Sequence, residues 1–131
     1  MAINAMLVRY KNSKEKLKEE DANNLKSCMI PEEIFNFIEE KNLVKNMKIL
    51  EEDSNNEIDI RILDIEVLKE LLIKIKEIVK NKSKLICNNE LSNQKEDSIL
   101  NELKQFLDLR GLFLEKIERY SDKNYILIQI G

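Results

Sequence analysis

The stretch Glu57-Ile58-Asp59-Ile60-Arg61-Ile62 alternates charged and aliphatic residues one for one, and from Asp64 onward the aliphatic residues recur every three or four positions instead. That change of period within two residues demands a strand followed at once by a helix. In the strand, Ile58, Ile60 and Ile62 take the core side while Glu57, Asp59 and Arg61 take the water side. In the helix, Asp64 stands where an N-cap belongs, Glu66 lies in the first turn, and Ile65, Leu68, Leu71, Leu72, Ile75, Ile78 and Val79 form one apolar stripe. Met47 to Glu52 is the natural antiparallel mate of the strand. The two are joined by Asp53-Ser54-Asn55-Asn56, residues that suit a turn because their short polar side chains bond to nearby backbone.

The flanking segments extend this pattern. Residues 2–10 are apolar almost without interruption, as expected of a strand buried on both faces in the interior of a sheet. Residues 11–29 thin out to Leu17, Leu25, Cys28 and Met29 among charges and read as a weak helix. Pro31 followed by Glu32 and Glu33 resembles the first turn of a helix, whose buried face would be Ile34, Phe37, Ile38 and Leu43. A long helix is expected from about residue 94 to about residue 120, capped by Asn93 with Glu96. Its seam is Ile99, Leu103, Phe106, Phe113, Ile117 and Tyr120, with Arg110 on the same line and Leu100, Leu107 and Leu114 widening it. Gly111, which costs about 1 kcal/mol in a helix interior, marks a possible kink. Residues 124–130 form a last strand beside the first. The order β-α-α-β-β-α-α-β gives an α+β fold over residues 1–131 as a single domain. It would be a four-stranded, mainly antiparallel sheet covered by two long helices, with the shorter N-terminal helices at one end.

Composition narrows the chemistry. With 131 residues there is material for one core, and 43% hydrophobic against 36% charged residues implies helices with a single apolar stripe and solvated backs. Lys, Glu or Asn interrupts each apolar run too soon for it to cross a bilayer, and the first thirty residues carry no basic-then-apolar leader, so a soluble, cytoplasmic protein is expected. The sequence has no histidine, which removes the commonest general base and metal ligand together with Ser-His and Cys-His pairs. Its two glycines, Gly111 and Gly131, leave no phosphate-cradling loop. Cys28 and Cys87 are too far apart in sequence to read as a metal motif and are expected to be free thiols. The net charge is −3, and Lys greatly outnumbers Arg, as an AT-rich coding sequence produces. Such a chain lacks the arginine clusters that read base edges, so nucleic acid is not the expected partner.

What remains is the acidic crossing between the two central strands. Glu51, Glu52 and Asp53 lead into the turn, and Glu57 and Asp59 project from the second strand with Arg61 as the one nearby positive charge. A negative field there would steer a basic protein partner. Asp53, Asn55, Glu57, Asp59 and Asp64 also occupy ligand positions of a twelve-residue calcium loop. That pattern fails at its sixth position, where Ile58 replaces the glycine of the sharp turn, and at its twelfth, which wants glutamate. No metal, cofactor or catalytic residue is therefore expected. The reading is a non-catalytic protein-binding protein of the kind represented by small acidic inhibitors, immunity proteins and adaptors, with oligomeric state open. Two alternatives stand beside it. One is a divergent carboxylate-dependent, metal-assisted enzyme using Asp59 with Glu51 or Asp64, and the other is a structural subunit of a larger assembly such as a phage particle. Arg110 in an apolar seam has three options: snorkelling past the core edge, pairing with an acid such as Asp59, or facing a partner chain.

Overall fold

A computed structural model describes residues 3–87 and 91–131. Its strands are β1 (Asn4–Arg9), β2 (Asn23–Met29), β3 (Lys45–Leu50), β4 (Glu57–Leu63) and β5 (Ile126–Ile130), and its helices are α1 (Glu32–Lys41), α2 (Ile65–Ile86) and α3 (Asn93–Tyr120). The strands form one sheet in the order β2-β1-β5-β4-β3, every neighbour antiparallel. The α+β class agrees with the sequence, but the sheet has five strands rather than four and three helices accompany it.

The extra strand comes from the segment read as a weak helix. Residues 11–18 run without regular structure, Glu19–Asp21 make a single 3-10 turn, and Asn23–Met29 pair with β1 as an edge strand. Asn23, Asn24 and Ser27 are poor helix-interior residues because their side chains compete for backbone hydrogen bonds. Nearly every residue of β2 is exposed, so its strand character derives from β1 alongside it and leaves no alternation to read. The pairing slips between Leu7 and Val8, a bulge that lets Leu25 fall outside the register.

The sheet buries both faces, unequally. Ala5, Leu7, Leu63, Ile126, Ile128 and Ile130 pack under the helices with Ile34, Ile38, Leu68, Leu71, Ile75, Phe106, Leu109, Leu112 and Phe113. On the opposite face, Val8, Tyr10, Ile49, Ile60 and Ile62 form a smaller cluster closed by Leu17. The isoleucines of the alternating strand thus face the second cluster and not the helices. Their charged alternates Glu57, Asp59 and Arg61 share the side of Leu63, but they stay exposed because the helices lie over β1, β2 and β5. Residues 10–18 are the cover: Leu50 N–H donates to Leu17 C=O at 2.9 Å, and Tyr10 Oη donates to Gln129 Oε1 at 2.8 Å across the sheet surface.

Helix ends follow the local chemistry with two changes. Asp64 caps α2 through Val67 N–H at 3.0 Å, as expected, whereas α3 is capped by Ser92, whose Oγ accepts from Lys95 N–H at 3.3 Å, and Asn93 is already helical. Pro31 is the N-cap of α1 rather than a first-turn residue, and Asn42 ends that helix in the left-handed conformation, φ 52°, which asparagine tolerates. Gly111 does not interrupt α3. Leu109, Leu112 and Phe113 are wholly buried around it, and that packing outweighs a propensity cost of about 1 kcal/mol.

The contact stripe of α3 is rotated from the expected seam. Phe106 and Phe113 are 1% and 0% exposed, but the residues beside them are Leu109, Leu112 and Lys116, while Leu107 and Arg110 face outward. Lys116 is buried with its charge answered: Nζ donates to Tyr120 C=O at 2.7 Å and Lys123 C=O at 3.0 Å, a cation on the carbonyl end of the helix. Burial pushes its pKa below the usual lysine range. The three helices are tied by Lys82, whose Nζ lies 3.1 Å from Glu33 of α1 and 2.7 Å from Glu102 of α3, above the Phe106 ring.

Two outcomes test this packing. Phe113→Ala should lower unfolding free energy in urea by about 3–5 kcal/mol; a folded variant of unchanged stability that had lost only self-association would refute the core assignment. Gly111→Ala should raise stability by about 0.5–1 kcal/mol, since a Cβ there meets no atom within 4 Å, and a lower melting temperature would show that the glycine is needed for shape.

Candidate functional site

The acidic crossing is a hairpin turn closed by its own polar groups. Glu51 N–H donates to Asn56 C=O at 2.8 Å, Ser54 Oγ donates to Glu51 Oε2 at 3.3 Å, and Asn56 N–H donates to Ser54 Oγ at 3.1 Å. Asp53 carries a positive φ of 58°, a conformation that short polar residues adopt at modest cost. These bonds hold Glu51, Glu52 and Asp53 at the tip of the β3–β4 hairpin, all exposed to solvent.

The fold adds a second acidic triplet. Lys18 bridges to Leu50 in a parallel sense, which lays the 3-10 turn Glu19-Glu20-Asp21 beside the hairpin, and Glu52 N–H donates to Glu19 Oε1 at 3.2 Å. Between the two segments lies an open hollow of about 290 Å³ walled by Lys18, Glu20, Glu51, Asp53 and Asn55 over Leu50. Glu19, Glu20 and Asp21 were not part of the expected surface, and their place beside residues 51–53, thirty residues on, depends on the extended path of residues 11–18. A trace of their field reaches inward: the Tyr10 phenol is pushed up first by burial and then by the charge of Glu19.

Glu57 and Asp59 are deployed differently. Glu57 is salt-bridged to Lys16 and Asp59 to Lys48, its direct cross-strand partner, at 3.2 Å. The expectation that Arg61 is the one neighbouring cation is therefore corrected, because two lysines meet the strand acids and Lys18 sits in the hollow. The structure brings Glu51, Glu52 and Asp53 together with Glu19, Glu20 and Asp21, and it separates Glu57 and Asp59 from them as locally neutralised pairs. The residues with calcium-loop spacing are divided among a turn, a strand and a helix cap. Among the described residues no three Asp, Glu or Cys side chains are grouped to hold a metal ion. Asp64 spends its carboxylate on Val67 N–H. Arg110 lies far along the chain on α3, exposed, and takes no part here.

No protein-family model matches the chain, and no curated protein or solved structure shows significant similarity to it.

The Lys16 contact, chiefly its hydrogen bond, holds the Glu57 carboxyl below the usual glutamate range. A depressed folded-state value means the contact favours the fold above the ordinary glutamate pKa and is lost as pH falls through the folded one. Lys16→Ala should raise the Glu57 pKa toward its ordinary value, as read by carboxyl-carbon NMR titration. An unmoved titration would mean that the pair does not persist in solution.

Proposed function

We propose that this chain is a non-catalytic protein-binding protein that engages a basic partner through the acidic end of its sheet. The observation that carries this reading is the convergence of Glu19, Glu20 and Asp21 with Glu51, Glu52 and Asp53 at one rim, joined through the Glu52 N–H to Glu19 Oε1 bond. Six carboxylates with Lys18 as the cation in the hollow make a field larger than the net charge of −3 suggests. Glu57 and Asp59, part of the same expected surface, contribute less because Lys16 and Lys48 answer them. Exposed rim charges of this kind chiefly accelerate encounter and select the sign of the partner, and salt screens them. Small acidic inhibitors, immunity proteins and adaptors work in this manner. The carboxylate-dependent enzyme draws less support, since Asp59 is paired and Asp64 is engaged in capping. No helix among the described residues is long and apolar enough to cross a membrane.

The test is affinity capture from a lysate of the source cells with the wild-type chain and with the Glu51→Lys, Glu52→Lys, Asp53→Lys triple variant. A basic protein retained by the first and lost by the second, with association several-fold slower at low salt and the melting temperature nearly unchanged, is the expected result. Equal retention by both would move the binding surface elsewhere, and a lowered melting temperature would show that the acids serve the fold.

A further inference from the structure

Among the described residues, the outer surface of the α2–α3 pair carries apolar side chains that no other element covers. Ile73 is 71% exposed, Leu107 52% and Leu100 47%. Ile73 and Leu107 border a groove of about 370 Å³ floored by Leu72, Val79 and Leu114, and its walls carry two cations, Lys76 and Arg110. The α3 residues responsible, Leu100, Leu107 and Leu114, recur every seven positions and form one line on the helix, about 100° round its axis from the sheet-facing Phe106 and Phe113. They are the residues that widened the apolar seam in the sequence, and Arg110 is the charge within it.

Charge identifies what fits. Lys69, Lys74 and Lys82 of α2 each pair with a glutamate, but among the described residues neither Lys76 nor Arg110 has a carboxylate within salt-bridge distance. Lys76 and Arg110 are the charged residues of the groove's lining, so the groove is cationic on a chain whose net charge is negative. A second copy docked across a two-fold axis at this groove would set Lys76 and Arg110 against their own counterparts, a repulsive arrangement. The lining spans eight residues on each helix, from Leu72 to Val79 and from Leu107 to Leu114, or ~10 Å at the helical rise. That is two turns, the length over which a guest helix presents apolar anchors at i, i+3, i+4 and i+7.

We infer that the α2–α3 groove is the docking site for an amphipathic helix of another protein, one that seats aliphatic side chains on Leu72, Val79, Leu107 and Leu114 and offers carboxylates to Lys76 and Arg110. The surface is opposite in sign to the acidic end of the sheet and does not depend on it. The guest helix would add a fourth member beside α1, α2 and α3, shielding Ile73 and Leu107 from water.

The probe is a synthetic eighteen-residue helix with leucines in a heptad pattern and glutamates on both flanks, titrated into the whole protein with methyl NMR and fluorescence anisotropy. The control is the same peptide with lysines in place of the glutamates. Saturable binding is expected, with shifts confined to Leu72, Ile73, Val79, Leu107 and Leu114, and the lysine peptide should bind at least tenfold more weakly. Lys76→Glu combined with Arg110→Glu should weaken the glutamate peptide at least tenfold with an unchanged melting temperature, since both side chains are exposed. Glu51→Lys with Glu52→Lys and Asp53→Lys should leave peptide binding as it was, which separates this groove from the acidic rim. Equal binding of both peptides, shifts outside the groove, or no saturation would overturn the inference. So would a dimer in sedimentation that Leu107→Asp dissolves, or attachment to phosphatidylglycerol vesicles without peptide binding; these would assign the groove to a second copy or to a lipid surface.

Discussion

The sheet depends on β5. Strands β1 and β2 make one antiparallel pair and β3 and β4 another, and β5 alone joins them, through Ala5↔Ile130 to Arg9↔Ile126 on one edge and Arg61↔Ile130 to Leu63↔Ile128 on the other. Ile126, Ile128 and Ile130 point to the helices, Leu127 to the second cluster, so the final strand supplies the centre of both layers. The two pairs therefore cannot become one sheet until Ile126–Ile130 is in place. Contacts of such sequence separation carry a large loop-closure cost before they are rewarded, so the folding of this chain is expected to be limited by β5 docking rather than by its helices.

Once β5 is in place the two faces divide the work. The helix side holds the large core, with Phe106 and Phe113 wholly buried, and Lys82 binds α1, α2 and α3 through Glu33 and Glu102. The opposite face is closed by an extended stretch of chain with Leu17 and Tyr10 as its apolar contacts. That economical cover has a consequence for the surface: the same stretch carries Glu19, Glu20 and Asp21 to the hairpin tip. The acidic rim is thus a by-product of how the second face is sealed. Six carboxylates, Glu19, Glu20, Asp21, Glu51, Glu52 and Asp53, are gathered at the hairpin end as a result.

Local pattern carried far in some places and not in others. The β3–β4 hairpin, the Asp64 cap, α1, α2 and the strand character of β1 and β5 were all legible, because each is a short-range match between side-chain spacing and backbone period. The edge strand β2 was not, since a strand exposed on its faces has no apolar alternation to display and takes its hydrogen bonds from a neighbour. The α3 stripe was read one position off: its apolar residues encircle more than half the helix, and periodicity cannot say which part of so wide an arc meets the sheet. Half of the candidate site was visible as Glu51, Glu52 and Asp53. The other half lay in plain sequence, but nothing local links residues 19–21 to residues 51–53.

By itself, then, the sequence determined the elements whose side chains report their own burial, the class of fold, and a chemistry without histidine or phosphate loops. Tertiary structure alone decided which face each isoleucine of β4 serves, that Glu57 and Asp59 meet Lys16 and Lys48 while the tip acids gain Glu19, Glu20 and Asp21, and that Arg110 lines an outer groove. The reason is physical. A period of 2 or 3.6 records where water lies relative to one element, whereas the meeting of charges on different elements depends on the path of the chain between them, which no local spacing encodes.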